Sequence, residues 1–290
     1  MEGIILINKP KDYTSQDVVS KVKKILNIKK AGHTGTLDPM ATGLLPVMLG
    51  NYTKLSKYLI EHDKTYVATL KLGMKTDTGD ITGKMIEERA VDVDFNKIEE
   101  VLKSFLGKQM QIPPMYSAIK IDGKKLYEYA REGKSVSVPP REIEIYKINL
   151  ININIDDKEI KFSVACSKGT YIRVLCENIA KKLNTVGTMS GLERVNVDMF
   201  NIIDAVTFEQ LEDNKNDQEF IEKHLFKMED VLSKYEKISL DEKKKKSFLN
   251  GVLLSIDASD GIYNITINDK YIGTGTVKNK MLKRDIIMEE

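Results

Sequence analysis

The chain has 290 residues, 41% of them hydrophobic, which is enough for one large core and a small appended domain. Its two cysteines, Cys166 and Cys176, are too few for a disulfide scaffold or a zinc site, and reduced thiols are typical of a cytoplasmic protein. The N-terminus lacks a signal-peptide cleavage site, and no apolar stretch approaches the roughly 20 residues that span a bilayer, so we expect a soluble, cytoplasmic protein without membrane segments.

The net charge of +2 says little about partners, but the charge is unevenly distributed. Residues 1–60 carry nine Lys against four acidic residues, whereas residues 201–230 carry three Lys against nine acidic residues. A basic front and an acidic later segment indicate one face suited to a polyanion, although an ordinary solvated surface gives the same pattern.

The first predicted elements are a strand and a capped helix. Residues 3–8 are apolar and form a short strand that Pro10 ends. Thr14, with Asp17 three residues later, has the spacing of a capping box, and the apolar residues that follow keep helical spacing. Residues 31–46 are predicted to be a loop, because they are rich in Gly and Thr and contain two prolines.

The later patterns mix strands and helices. They predict strands at 65–72, 142–154 and 159–166 and helices at 98–105 and 174–183. From about residue 235 onward, alternating short segments predict a small β-rich terminal domain. Because βαβ repetition is missing, we expect an α+β fold and not a doubly wound sheet.

The sequence contains no motif for a nucleotide cofactor or a metal. No G-x-x-x-x-G-K-[ST] occurs, and no G-x-G-x-x-G follows a strand. The three histidines lack metal-ligand spacing. We therefore expect a chemistry that needs neither a cofactor nor a bound metal.

The densest cluster of unusual residues is GHTGTLDPMATG at 32–43. Its glycines permit tight turns and close approach by a ligand. Asp38 precedes Pro39, which biases the aspartate towards an extended conformation that can present its carboxylate to a substrate. Taken alone, an Asp-Pro pair is also typical of a plain surface turn.

The whole string resembles the catalytic motif of the bacterial TruB tRNA pseudouridine synthases, which share it with the dyskerin-type guided enzymes. Four further blocks resemble that family in the same order: GIILINKPKDYTSQDVV, DKTYVATLKLGMKTDTGD, IPPMYSAIKIDGKKLYEYAREG and SKGTYIRVL. This resemblance implies a pseudouridine synthase fold, with a mixed, largely antiparallel central sheet flanked by helices. It also implies a catalytic domain over 1–230, with an RNA-gripping thumb insertion at about 115–141, and a PUA-like domain over 231–290.

The resemblance implies that the enzyme detaches uracil from uridine 55 in the TΨC loop, rotates the base and rejoins it through carbon 5. Asp38 matches the family's indispensable aspartate, and a carboxylate suits a nucleophile or a base. Arg173 matches an arginine that would hold this carboxylate ionised, and Tyr66 matches the active-site tyrosine on which a flipped base can stack. On their residue types alone, a surface arginine and a core tyrosine also fit.

Several more residues match family positions near the substrate. We expect substrate contacts from His33, Asp80, Tyr171, Leu192, Lys9, Lys54 and Lys64. In the thumb, Lys124 and Lys125 lie among tyrosines, a combination that offers phosphate affinity and stacking surfaces. A solvated surface is the alternative for each of these lysines.

Two other functions stay open. One is a guided pseudouridylase of the dyskerin type, which needs a guide RNA and partner proteins. The other is a tRNA-binding folding chaperone without essential turnover. The thumb-like block favours a stand-alone enzyme, because the guided relatives lack a comparable insertion. We expect a monomer whose partner is the TΨC arm of tRNA, with no obligate protein partner.

Overall fold

The computed structural model describes residues 1–59 and 62–288. The strands are β1 Gly3–Lys9, β2 Ala31–His33, β3 Thr42–Leu49, β4 Lys64–Leu72, β5 Met74–Thr76, β6 Met85–Glu88, β7 Gly107–Gln111, β8 Lys120–Ile121, β9 Lys124–Lys125, β10 Arg141–Asn154, β11 Glu159–Cys166, β12 Gly187–Val197, β13 Phe200–Asn201, β14 Leu225–Phe226, β15 Lys237–Leu240, β16 Leu254–Ser255, β17 Gly261–Ile267, β18 Lys270–Lys278 and β19 Met281–Ile287. The α-helices are α1 Ser15–Ile25, α2 Ser56–Leu59, α3 Ile98–Lys103, α4 Leu126–Arg131, α5 Ile172–Lys182, α6 Phe208–Asp213, α7 Gln218–Lys223, α8 Met228–Val231 and α9 Glu242–Leu249. Short 3₁₀ helices lie at Gly50–Leu55, Phe95–Lys97 and Ile202–Asp204. In these described ranges, no helix has the length and apolar character needed to cross a membrane.

A large mixed sheet forms the centre of the molecule, with the strand order β14-β1-β3-β12-β4-β11-β10-β7. β3 and β12 run parallel, and the other neighbours in this order run antiparallel. On β4, residues 66, 68, 70 and 72 are buried on one face, as the period of two along a strand requires. The predicted α+β class with a largely antiparallel central sheet is therefore confirmed.

The first helix begins as its sequence predicts. The backbone N–H of Asp17 donates to Thr14 Oγ1 at 3.1 Å, and the backbone N–H of Thr14 donates to Asp17 Oδ2 at 2.9 Å. This reciprocal capping box fixes the start of α1. The buried stripe of α1, which includes Val18 and Val22, packs in one core cluster with β1 and β3.

The prediction of a loop over 31–46 is wrong at both ends. Ala31–His33 forms β2, and β3 begins at Thr42. Leu44, Leu45 and the residues after them are buried on both faces of the sheet, so they lack the alternation that predicts a half-exposed strand. Because the segment contains Pro46, its sequence did not predict a strand. The Pro46 carbonyl nevertheless accepts a hydrogen bond from the Thr34 N–H at 3.3 Å.

The predicted β-rich region near the C-terminus is confirmed as a second sheet, with the order β15-β17-β18-β19-β16. This sheet shares a core cluster with the central one, because Ile286 packs in the same cluster as Ile4 and Met228. Polar contacts add to the junction: Tyr58 OH lies 3.0 Å from Thr274 Oγ1, and both are buried. The division of the chain at residue 230 stays a prediction.

Candidate active site

Asp38 lies on the loop between β2 and β3, and this loop is fixed at several points. The Leu37 N–H donates to Ser15 Oγ at the start of α1, at 2.9 Å. The Ala41 N–H donates to the Asp38 carbonyl at 3.0 Å, and the Asp12 N–H donates to the Pro39 carbonyl at 2.9 Å. These hydrogen bonds thus hold the loop against the start of α1.

Arg173, at the beginning of α5, forms a two-point ion pair with Asp38. Its Nε lies 3.0 Å from Asp38 Oδ2, and its Nη2 lies 3.2 Å from Asp38 Oδ1. Its Nη1 donates to the Thr78 carbonyl and its Nη2 also donates to the Tyr116 carbonyl, each at 2.9 Å. Arg173 is buried, so its guanidinium is held in one orientation and cannot rotate away from the carboxylate.

Two opposing effects set the pKa of Asp38. Burial raises the pKa of this carboxyl above its usual value, and the Arg173 guanidinium opposes the rise. The charge of Asp80 adds a smaller upward effect. The Asp38 side chain is 31% exposed, so the carboxylate remains accessible from the cleft beside it.

That cleft has a volume of about 490 Å³ and lies between the Asp38 loop, the central sheet and the base of the thumb. Its lining consists of Gly35, Thr36, Leu37, Asp38, Lys64, Tyr66, Tyr116, Ser117, Ala118, Tyr127, Ser167, Gly169, Thr170, Tyr171, Ile172, Arg173, Leu192 and Arg194. The structure therefore brings together six residues that the sequence singled out, from four separate parts of the chain. These are Asp38, Lys64, Tyr66, Tyr171, Arg173 and Leu192.

Tyr66 serves both the core and the cleft. It is 8% exposed and belongs to the main core cluster, yet its ring also lines the cleft. The Gln111 side chain binds the backbone of Tyr171: it accepts a hydrogen bond from the Tyr171 N–H at 2.8 Å and donates one to the Tyr171 carbonyl at 3.1 Å. Both residues therefore line the cleft.

Arg194, on β12, is a cleft residue that the sequence reasoning missed. It is 1% exposed, and its guanidinium lies beside the Tyr66 hydroxyl. Its Nε donates to the Leu44 carbonyl at 2.8 Å, and its Nη2 donates to the Gly35 carbonyl at 3.2 Å. It therefore joins both ends of the Asp38 loop to β12. A clue was present in the sequence, since Arg194 lies two residues from Leu192 and points to the same face of a strand.

The structure corrects the expected role of Lys9. This residue has no exposed surface, and its Nζ donates to the carbonyls of Pro10, Tyr13 and Pro39 at 3.0, 2.6 and 3.1 Å. Burial lowers the pKa of Lys9 to about 8. All three ammonium donors are occupied, so Lys9 stabilises the loop and offers nothing to a phosphate.

The other residues expected to contact the substrate differ in whether they line the cleft. Lys64 lines the cleft, and burial lowers its pKa to about 8. His33 and Asp80 are not among the residues that line the cleft. His33 Nδ1 accepts a hydrogen bond from the Gly35 N–H at 3.3 Å, and the Asp80 carboxylate accepts one from the Thr82 N–H at 3.0 Å. Burial also lowers the pKa of His33. These bonds place both side chains as supports for the loop and turn beside the cleft.

The remaining lysines do not line the cleft. Lys54 is exposed and donates to the Ile287 carbonyl at 2.9 Å, so it joins the 3₁₀ helix Gly50–Leu55 to the C-terminal sheet. In the thumb, Lys124 pairs with Glu132, and Lys125 Nζ lies 3.3 Å from Tyr127 OH. Because Tyr127 lines the cleft, the lysines of β9 lie next to its outer edge.

Comparison with known protein families shows which family the chain belongs to. The model of the TruB family pseudouridylate synthase N-terminal domain matches residues 23–172, and the model of the tRNA pseudouridylate synthase B C-terminal domain matches residues 173–233. The chain belongs to the TruB family of pseudouridylate synthases. The family expected from the sequence motifs is therefore confirmed, and the Asp38–Arg173 ion pair spans the two matched segments.

Curated relatives agree over the full length. The tRNA pseudouridine synthase B of Clostridium kluyveri is 41% identical over 98% of this chain and 98% of that protein. The protein of the same name in Clostridium novyi is 44% identical, again over 98% of each chain. These two relatives are thus matched over almost their whole length, in a range that includes the C-terminal sheet.

Solved structures share the fold. A chain in a structure of an H/ACA RNP bound to a substrate RNA containing 2′-deoxyuridine superposes with a TM-score of 0.74 and 25% identity, covering 99% of this chain and 85% of that chain. A chain in a Cbf5-Nop10-Gar1 complex gives a TM-score of 0.74 and 26% identity, covering 99% and 84%. The predicted pseudouridine synthase fold is therefore confirmed.

Proposed function

We propose that this protein isomerises uridine to pseudouridine in tRNA, and that its target is uridine 55 in the TΨC loop. The observation that carries the proposal is the Asp38–Arg173 ion pair, held in a cleft that has aromatic walls. The names of the full-length relatives support tRNA as the substrate class.

The cleft has the features that this reaction needs. A uridine must leave its stack to reach Asp38, and the rings of Tyr66 and Tyr171 offer surfaces that replace its lost neighbours. The glycosidic bond between C1′ and N1 breaks, and a bond between C1′ and C5 forms. C5 loses its proton to solvent and N1 gains one, so no electrons are exchanged with a cofactor.

Asp38 is the residue we assign to the bond-breaking step. Its carboxylate is accessible from the cleft and cannot be displaced from Arg173 without breaking two bonds. A carboxylate held in this way can attack the sugar, attack the base or accept a sugar proton. Arg173 keeps the carboxylate oriented during each of these steps.

We also propose that the protein acts as a stand-alone monomer on the TΨC arm, with a catalytic domain over 1–230 and a terminal PUA-like domain. The support is the segment 115–141, whose β8, β9 and α4 lie at the cleft edge and carry paired lysines and tyrosines. The two similar chains come from an H/ACA RNP and from a Cbf5-Nop10-Gar1 complex, so a guided mode with partner proteins is the alternative.

The test is tritium release from carbon-5-labelled uridine in an unmodified tRNA transcript, without added metal, guide RNA or protein. We expect wild type to release tritium from uridine 55 only, and Asp38→Asn to release none while binding the transcript with little change in Kd. Asp94→Asn is the matched control, because it makes the same change at an exposed carboxylate away from the cleft and should keep turnover. Turnover by Asp38→Asn would remove the central assignment, and release only with a guide RNA would favour the guided mode.

A further inference from the structure

Ser117 is a cleft residue with an unused hydroxyl. It lies at the base of the thumb segment and is 6% exposed, so it is more than nine-tenths buried. Its backbone is satisfied, because its N–H donates to the Met115 carbonyl at 3.0 Å and its carbonyl accepts from the Tyr127 N–H at 3.1 Å. Its Oγ, however, has no hydrogen-bond partner among the described residues.

Two other short hydroxyls at the cleft, those of Ser167 and Thr170, have partners. Ser167 Oγ accepts from the Glu144 N–H at 2.8 Å, and Thr170 Oγ1 donates to the Ser167 carbonyl at 2.9 Å. A buried hydroxyl without a partner is less favourable than an alanine methyl at the same place, since it has lost its water and gained nothing. Ser117 therefore lacks a structural reason to be a serine in the free protein.

The position of Ser117 connects it to the reacting centre. The neighbouring Tyr116 carbonyl accepts from Arg173 Nη2 at 2.9 Å, and that same nitrogen lies 3.2 Å from Asp38 Oδ1. Ser117, whose hydroxyl has no partner, thus directly follows the residue whose carbonyl binds Arg173 of the ion pair. Ser117 and Asp38 line the same cleft.

We propose that Ser117 Oγ, which the surrounding residues enclose in the free protein, becomes a substrate contact when an entering nucleotide shifts the base of the thumb. It then hydrogen-bonds a polar group of the flipped nucleotide, either its ribose 2′-hydroxyl or a carbonyl of its uracil. The inference rests on the proposed function, because it assumes a flipped uridine in the cleft. A serine hydroxyl both donates and accepts, so it can serve either group. The contact would also fix the thumb base, since Ser117 and Tyr127 share a backbone hydrogen bond.

The first experiment compares Ser117→Ala with wild type in the tritium assay and in a thermal melt. We expect kcat/KM to fall about 3- to 10-fold, the size of one lost hydrogen bond, while Tm stays the same or rises. Ser167→Ala is the matched control: it removes a hydroxyl that does have a protein partner, so we expect a lower Tm. Unchanged kcat/KM in an active Ser117→Ala protein, or a lowered Tm, would overturn the inference.

The second experiment identifies the group that Ser117 contacts. Kd is measured for wild type and Ser117→Ala with transcripts that carry uridine, 2′-deoxyuridine, 2-thiouridine or 4-thiouridine at the target position. Loss of the Ser117 effect with one modified nucleotide assigns the hydroxyl to that group. If the effects of Ser117→Ala and of every modification simply add, the contact does not exist. A wild-type protein without turnover would instead overturn the proposed function itself.

Discussion

At the scale of single residues, the site depends on how Asp38 and Arg173 affect each other. Burial and Asp80 both make it harder to ionise the Asp38 carboxyl, and Arg173 makes it easier. Arg173 is itself buried, and its four hydrogen bonds place it between the loop, the turn at Thr78 and the thumb base. One arginine thus controls both the charge of the carboxylate and the position of the segments around it.

This pair predicts a specific pH dependence. If the ionised carboxylate is the active form, kcat/KM falls as pH drops through the pKa of Asp38, which lies above its usual value. Arg173→Gln removes the effect that lowers this pKa, so we expect the acidic limb of the kcat/KM profile to move to higher pH, together with a loss of activity. The measurement is tritium release across a pH series.

The control for this pH experiment is Arg89→Gln, because Arg89 is exposed and pairs with Glu87 away from the cleft. Its acidic limb should coincide with that of wild type. An acidic limb that stays in place, or moves to lower pH, in Arg173→Gln would show that Arg173 does not set the ionisation of Asp38.

At the scale of elements, the parallel pairing of β3 with β12 places the Asp38 loop. Gly43 lies opposite Arg194 in this pairing, with a φ of +99°. A Cβ at position 43 would lie 2.4 Å from the Arg194 carbonyl oxygen, which is rigid backbone. Since Arg194 also binds the carbonyls of Gly35 and Leu44, this close approach decides where the loop between them can lie.

Gly43→Ala should therefore destabilise the protein strongly. We expect a loss of about 2–4 kcal/mol in the free energy of unfolding, from backbone strain at positive φ combined with the steric clash. Urea denaturation measures it. Gly123→Ala is matched, since Gly123 has a φ of +80° but no atom lies within 4 Å of the place that a Cβ would occupy. That control should lose only about 1 kcal/mol from strain. Equal losses in both variants would mean that β12 yields to the added methyl group.

At the scale of the whole molecule, the thumb meets the central sheet at the cleft, and the C-terminal sheet shares a core cluster with the central sheet. Ile286 of β19 packs in the same cluster as Ile4 of β1, so the second sheet is anchored close to the first strand of the chain. The thumb is attached differently: its Tyr116 carbonyl binds Arg173, and its outer end carries lysines over tyrosine rings. A long RNA arm could contact the cleft and the thumb together.

The thumb lysines predict a change in the salt dependence of RNA binding. Lys124→Glu combined with Lys125→Glu should weaken binding of a tRNA transcript and reduce the slope of log K against log salt by about 1.5, because two fewer phosphates release counterions. Kd measured over a range of KCl concentrations gives this slope.

The control carries the same charge change on the acidic segment. Lys215→Glu combined with Lys223→Glu alters two exposed lysines within residues 201–230 and should leave the slope nearly unchanged. If the thumb variant retains the wild-type slope, Lys124 and Lys125 do not contact phosphate. If both variants change equally, binding reflects net charge and not a defined surface.

Local patterns in the sequence determined much of this protein. The period of two along 65–72, the capping box at Thr14 and the motif around Asp38 each depend on neighbouring residues, and the strand and the cap hold in the fold. The motifs also identified the family. Their physical basis is short-range, because periodicity and caps report which face of an element is buried and where a helix begins.

Only the tertiary structure decided which of these residues meet. Asp38 and Arg173 are 135 positions apart, and their pairing depends on the order of strands in the central sheet. The full burial of Lys9 and the free hydroxyl of Ser117 left no local signature, since each depends on which carbonyls and side chains distant segments bring alongside. Residue types set the available chemistry, whereas long-range strand pairing set the distances through which that chemistry acts.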